Sequence, residues 1–497
     1  MSKLIENVKA ARRSGVPLLA IASHDQPATV DSIDAGINGC PKVAWDCVNG
    51  LRALNPEGKT ALTALGDQTR DSFRALLALK AIQKIQAKTV VFLYNAAPWL
   101  REPPVAQAVQ NLRETFKENQ RTLILLDTAF AEMGASLKAD VVQLEESLPT
   151  EEQLGAMLKD MHDSAGSPAP TAEKLPAMID AVRGLPSLFQ AEQVTAMSFR
   201  KKVLDQDVLW ERKESTINST AGLTISRGGL TFADLAGMNT IMEFLRKHQA
   251  GPSPFRLILF WDEIEKMMAG AGGDSQDSSG VSSDFLGVCL KKMEDLGWAG
   301  IILFGVPGSG KTALAQATSG EFGVPMISMD FGAFKGRFVG DSESAVRTGF
   351  GTVESLGGEN VLVVATCNRM KSLPPEFRRR FWLGNWYYDV PSLPEQEPIK
   401  RIYEKKYGIE NAEWPNTEGW TGAEIRNAAR LTHRLQCSLA EACNYVVPIT
   451  RADPESLEQL RAVADGRFLS VSSDGVWTAD GGPQVVGKKA KRAIGAN

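Results

Sequence analysis

Residues 299–317, AGIILFGVPGSGKTALAQA, constrain the chain more than any other segment. An apolar run passes directly into Gly305-x-x-x-x-Gly310-Lys311-Thr312 and then into small and apolar residues of helical character. Glycines at these spacings let successive backbone N–H groups curl round a phosphate, the lysine reaches the outer phosphates, and the threonine offers a hydroxyl to Mg²⁺. The segment must fold as strand, phosphate loop and helix, the opening unit of a parallel α/β sheet. Gly305, Val306, Pro307, Gly308, Ser309, Gly310, Lys311, Thr312 and Ala313 are the expected nucleotide-binding stretch.

A phosphate loop alone hydrolyses nothing, because the metal needs a carboxylate and the attacking water needs orientation. An apolar strand ending in Asp-Glu usually supplies both. Downstream of Thr312, the acids between 341 and 368 are Asp341, Glu343, Glu354 and Glu359, and none ends an apolar run. Upstream, Leu257-Ile258-Leu259-Phe260-Trp261 leads straight into Asp262 and Glu263. The bland reading is that these acids only cap the next helix. The site would then lack any Mg²⁺ carboxylate, so Asp262 is expected to hold the metal through water with Thr312, and Glu263 to polarise the nucleophile.

The rest of the chain surrounds this unit. Between residues 17 and 145, VPLLAIAS, PKVAWDCV, KTVVFLYNAA and RTLILLDTAF alternate with helical stretches, without a phosphate loop. That predicts an α/β domain over 1–150, a helical connector over 151–227 containing the linker SAGSPAP, and the catalytic α/β module over 228–391. Helical periodicity follows over 392–450, and 451–497 reads as a hairpin around Ser473-Asp474-Gly475 with a basic tail, KKAKR at 488–492.

Lys and Arg number 55 against 59 Asp and Glu, which excludes a DNA-coating protein. Six cysteines with no Cys-x-x-Cys and four scattered histidines give neither a disulfide framework nor a zinc or metalloprotease signature. No apolar window is long enough to span a bilayer, and the start lacks a signal-peptide core, so a cytoplasmic or equivalently reducing compartment and no membrane partner are expected.

Over roughly 228–450 these residues resemble the AAA+ ATPases, in particular the AAA clade. TFADLAG at 231–237 resembles the segment beside the adenine, carrying Asp234, Leu235 and Ala236. FKGRFVGDSESAVR at 334–347 resembles the pore loop, with Phe338 at the substrate-gripping aromatic. VLVVATCNR at 361–369 resembles the sensor-1 strand and puts Asn368 beside the γ-phosphate or its water; LPPEFRRRF at 373–381 resembles a shortened arginine-finger segment with Arg379 and Arg380. TGAEIRNAAR at 421–430 resembles the sensor-2 helix, where Gly422 and Ala423 line the adenine pocket and Arg426 is a candidate phosphate sensor. More loosely, DVLWERKESTINSTAGLTI at 207–225 and the loop-less first domain resemble AAA ATPases encoded in plastid and cyanobacterial genomes. That resemblance implies a degenerate ATPase-like domain ahead of one working module.

The resemblance implies a sheet ordered 5-1-4-3-2, a helical lid, ATP and Mg²⁺ as cofactors, and a homo-oligomeric ring, most simply a hexamer. Here the chain order departs from the family: the acidic strand 3 comes first, then strands 1, 2, 4 and 5. A permuted module with an intact site is therefore expected. Three functions fit: a protein-remodelling ring gripping a polypeptide through Phe338; a nucleic-acid-associated accessory using Lys335, Arg337 and the basic tail; or a nucleotide-dependent assembly switch. The polar stretch DSQDSSGVSSD at 274–284 is expected to be a solvated loop.

Overall fold

The apolar runs become fully buried strands because helices cover both faces of the sheets they join. The computed structural model describes residues 3–130, 133–200, 202–218, 222–265, 281–330, 341–369, 375–410 and 412–480. It divides into two units, one built on Met1–Lys213 with Arg337–Thr352 and the other on Glu214–Gly336 with Val353–Asn497.

In the first unit, strands β1 (Leu18–Ala22), β2 (Lys42–Asp46), β3 (Gly50–Ala53), β4 (Val90–Leu93), β5 (Thr122–Asp127) and β6 (Val142–Glu145) form one sheet in the order β3-β2-β4-β5-β1-β6. Only the β2–β3 hairpin is antiparallel. Alternate strand residues point to opposite faces. Leu19, Ile21 and Phe92 pack with Leu4, Val8 and Ile33 of two helices, while Leu18, Val91 and Leu125 pack with Ala61, Val109 and Phe116 of others. The result is a three-layer α/β/α sandwich. Helices Glu151–Ser164, Leu175–Val182, Leu188–Ala196 and Gln206–Asn218 follow, with the two-stranded hairpin β7 (Phe199–Arg200) and β8 (Val203–Leu204) among them.

The second unit holds β9 (Leu223–Ser226), β10 (Leu257–Trp261), β11 (Ala299–Gly305), β12 (Met326–Met329), β13 (Val361–Cys367), β14 (Asn385–Tyr388) and β15 (Leu469–Ser470), in the order β15-β14-β11-β13-β10-β12-β9. Translated into the strand numbers of the resemblance, β14-β11-β13-β10-β12 is the order 5-1-4-3-2. The expected permutation is therefore present, with the acidic strand β10 one strand removed from the phosphate-loop strand β11. In the first unit, the parallel strands β6-β1-β5-β4-β2 repeat that order with the chain running in unpermuted sequence. Each sheet also carries an antiparallel edge strand, β3 beside β2 and β9 beside β12.

The second sheet extends beyond 228–391 at both ends. β9 falls inside the stretch read as a helical connector, and its alternating burial is that of an edge strand with one wet face. β15 comes from the segment read as a terminal hairpin. Between them the lid helices Leu393–Tyr407, Gly422–Leu435 and Leu439–Cys443 share a core of Ile399, Trp420, Ile425, Ala428 and Cys443. Among the described residues no helix is long and apolar enough to cross a membrane.

Candidate functional site

β11 ends at Gly305, whose φ of 146° and neighbourhood both demand glycine: a Cβ there would meet the Tyr388 carbonyl oxygen at 2.1 Å. The loop that follows turns at Gly308 (φ 79°) and Gly310 (φ 99°), the residue that starts helix Lys311–Phe322. A Cβ on Gly308 would come within 2.8 Å of the Ala423 Cβ, and the Ala423 N–H donates to the Gly308 carbonyl at 3.1 Å. The loop thus touches the first turn of the lid helix. Lys311 is buried, with Nζ donating to the Gly305 and Val306 carbonyls, each at 2.8 Å. Burial pushes its ammonium down to about 8, against the opposing attraction of Glu265, Cys367, Asp262 and Glu263.

The acids approach the loop across β13. Asp262 Oδ1 accepts from Thr366 Oγ1 at 2.6 Å and lies 3.5 Å from Thr312 Oγ1. The second distance is at the outer limit for a hydrogen bond. The same Thr366 hydroxyl accepts the Glu263 N–H at 2.8 Å, holding that residue in the left-handed region at φ 48°. Asn368 donates through Nδ2 to Glu263 Oε1 at 3.2 Å and through its backbone N–H to Glu265 Oε1 at 3.0 Å. The Asn368 Oδ1 and Glu265 Oε2 atoms are buried without a hydrogen-bond partner among the described residues. Burial pushes the adjacent Cys367 thiol well above its ordinary range, and Glu265 adds to the shift.

Asp262, Glu263, Thr366 and Asn368 line one cavity of about 830 Å³ that also takes in Leu235, Ala236, Pro307–Ala313, Gly422, Ala423 and Arg426. Gly305 and Val306 contribute from behind its wall through their carbonyls. Arg379 and Arg380 do not line it; both belong to helix Pro375–Arg380, where Arg380 pairs with Glu294 at 2.5 Å. Arg379 is exposed and has no partner among the described residues. Phe338 and the basic run 488–492 lie outside the described residues, as does most of the polar stretch 274–284.

Five contributors escaped sequence reading: Thr366, Glu265, Asp389, Arg461 and the segment Ser470–Ser473 with Trp477. Thr366 sits two residues before Asn368 in an apolar strand, where it reads as an ordinary β-branched strand residue. Arg461 and the serines follow the lid, where no motif draws attention to them.

The donor set fits Mg·ATP. Among the described residues no cluster of three or more His, Cys, Asp or Glu could hold a metal by itself. Mg²⁺ commonly takes one or two protein oxygens and completes its shell with phosphates and water, which matches Thr312 with Asp262. In the first unit the corresponding place, after β1, is filled by the chain's own acids. Ser23 Oγ and Thr29 Oγ1 hold Glu146 Oε2 at 2.6 and 2.7 Å, and Asp25 caps helix Gln26–Gly36 through the Ala28 N–H at 3.1 Å.

The sheet order and the phosphate loop are those of an AAA domain fold. Residues 301–357 match the family model of the ATPases associated with various cellular activities (AAA), and residues 4–146 match that of the SpoVK-like AAA ATPase N-terminal domain. The chain is a relative of the AAA ATPases, homologous over most of its length to uncharacterized AAA domain-containing proteins called ycf46. It is 21% identical to the one from Guillardia theta across 94% of this chain and 96% of that protein. With the one from Gracilaria tenuistipitata var. liui it shares 22% identity across 71% and 75% of the two chains. A short stretch, 12% of this chain and 7% of the other, is 52% identical to a mitochondrial ATP-dependent zinc metalloprotease, FTSH 3 of Arabidopsis thaliana. The crystal structure of the FIGL-1 AAA domain matches 50% of this chain and 93% of its own at 17% identity and a TM-score of 0.31, too low to carry an argument.

Proposed function

We propose that the chain binds and hydrolyses Mg·ATP in the 830 Å³ cavity of its second unit. The observation that carries this reading is that Asp262, 50 residues upstream of Thr312, lies 3.5 Å from it across β13. Bound Mg²⁺ would neutralise charge on the β and γ phosphate oxygens, held by the Thr312 hydroxyl and, through water, by Asp262. Lys311 leaves the Gly305 and Val306 carbonyls for the phosphates, exchanging two neutral acceptors for charged ones. Glu263 polarises the water whose oxygen attacks the γ-phosphorus as the β–γ bridge breaks toward ADP. Asn368, already bonded to Glu263, fixes the angle of approach, and Thr366 holds Asp262 and Glu263 in register.

The turnover partner comes from a second copy of the chain in a ring, for which we take a hexamer as the working arrangement. Arg379 supports this part of the reading: it is exposed, unlike its neighbour Arg380, which Glu294 engages within the same chain. Trp382, three residues on, is 60% exposed. Arg379→Ala is expected to lower kcat by about 10³ or more, the scale of an arginine finger, and Arg380→Ala to change it far less. Equal effects would remove the case for Arg379. Remodelling of a polypeptide through Phe338 is the biological role proposed. It is tested by Phe338→Ala, which is expected to abolish client unfolding while ATP hydrolysis persists.

A further inference from the structure

Beyond its lid the chain returns to the sheet. Helix Pro454–Ala464 leads it back, and β15 pairs in parallel with β14 at Trp386 and Tyr387. Phe468 is buried with its ring 5.1 Å from that of Phe304, the residue before Gly305, and Trp477 meets Tyr387 edge-on at 4.6 Å. The turn between them is tied by the Ser470 N–H to the Gly475 carbonyl at 3.0 Å and the Trp477 N–H to the Phe468 carbonyl at 2.7 Å. The Val471 carbonyl accepts from the N–H groups of Thr240 (3.1 Å) and Ile241 (3.4 Å), in the first turn of helix Asn239–Gln249. That helix directly follows Leu235–Met238. The returning segment is therefore fixed to the phosphate-loop strand on one side and to the expected base-side segment on the other. It faces the same cavity as the loop.

The chemistry of this wall differs from that of the phosphate end. It offers one carboxylate, Asp389, whose Oδ1 receives Arg461 Nε at 3.0 Å and its neighbour's Val390 N–H at 2.8 Å, together with serine hydroxyls and the Trp477 indole. Its one arginine, Arg461, engages that carboxylate through Nε. A carboxylate at a strand's C-terminal end is suited to accept from sugar hydroxyls. We propose, resting on the ATP reading above, that Asp389 binds the ribose of the nucleotide, with Arg461 as the positioning residue that orients it. The segment after the lid is then part of the nucleotide site.

The test compares calorimetric binding of ATP, 2′-deoxy-ATP, 3′-deoxy-ATP and inorganic tripolyphosphate to the full chain, to Asp389→Asn and to Arg461→Met. The wild type is expected to bind one of the deoxynucleotides about tenfold more weakly than ATP, the scale of one hydrogen bond to a charged group. Both variants are expected to erase that difference while keeping the tripolyphosphate affinity. Variants that still distinguish ATP from the deoxynucleotides as the wild type does would overturn the assignment, as would equal losses for ATP and tripolyphosphate. A wild-type chain that binds tripolyphosphate and ATP equally would overturn this inference alone. One that binds neither would overturn the ATP reading and this inference with it.

Discussion

Thr366→Val replaces one buried hydroxyl by a methyl of nearly equal volume and removes two hydrogen bonds at once. The bond to Asp262 Oδ1 at 2.6 Å is charge-assisted, which is worth about 1.5–3 kcal/mol, and the one from the Glu263 N–H at 2.8 Å about 0.5–1.5 kcal/mol. Together they amount to about 2–4.5 kcal/mol spent on holding two acids and one left-handed residue in place. If about half of this is felt in the transition state, kcat falls by roughly 5- to 50-fold, and the remainder appears as lost stability. Steady-state ATP turnover at saturating Mg·ATP reads the first part and denaturant unfolding the second. Thr366→Ser keeps the hydroxyl and is expected to recover most of the turnover. A folded Thr366→Val that turns over within twofold of the wild type would refute the claim that this hydroxyl organises the acids.

Four further outcomes follow from the same structure. Lys311, at about 8 in the folded chain against 10.5 unfolded, is half-protonated near pH 8; phosphates raise it again, so ATP binding at that pH should take up about half a proton, measurable by calorimetry in buffers of different ionisation heat. Because the unfolded chain binds more protons between those two values, stability should rise with pH across that window, and Lys311→Met should stabilise the nucleotide-free chain at pH 7 by up to about 3 kcal/mol, a gain that fades toward pH 10.5. Gly308→Ala, forced to φ 79° with its Cβ 2.8 Å from that of Ala423, should weaken ATP binding at least tenfold, checked by titration with a fluorescent nucleotide. With Glu146 filling the first unit's strand end, binding should saturate at one nucleotide per chain, and a second equivalent site would contradict that reading of Ser23 and Thr29.

The strand order of the second sheet came from the family resemblance, anchored by two apolar strands with diagnostic residues at their ends: β11 closes on Gly305, and β10 leads directly into Asp262. Periodicity and spacing also located the lid, whose helices carry capping boxes at Ser392 and Thr421. What escaped reading is short or chemically unremarkable. β9 is four residues with one wet face, β15 is two, and β3 is an edge strand of four. Thr366 resembles any β-branched residue in a buried strand until its hydroxyl is seen between two acids. The contribution of Asp389 and Arg461 depends on a return of the chain over 72 positions, which no local pattern encodes.

The first unit bears on the permutation as well. Its parallel strands take the same spatial order in unpermuted chain sequence, so the arrangement of five strands is common to both sheets and only the connections differ. Chemistry depends on where side chains stand. The AAA family match stops at 357, before β13, where the usual chain order would next supply the acidic strand.

The most direct test of that arrangement is Glu263→Gln, which keeps the side chain's shape and its reach to Asn368 while removing the charge that polarises water. ATP binding is expected within a few-fold of wild type and turnover reduced by roughly 10² to 10⁴. A variant that hydrolyses ATP at the wild-type rate would show that the acid pair ahead of the phosphate loop is not the catalytic one.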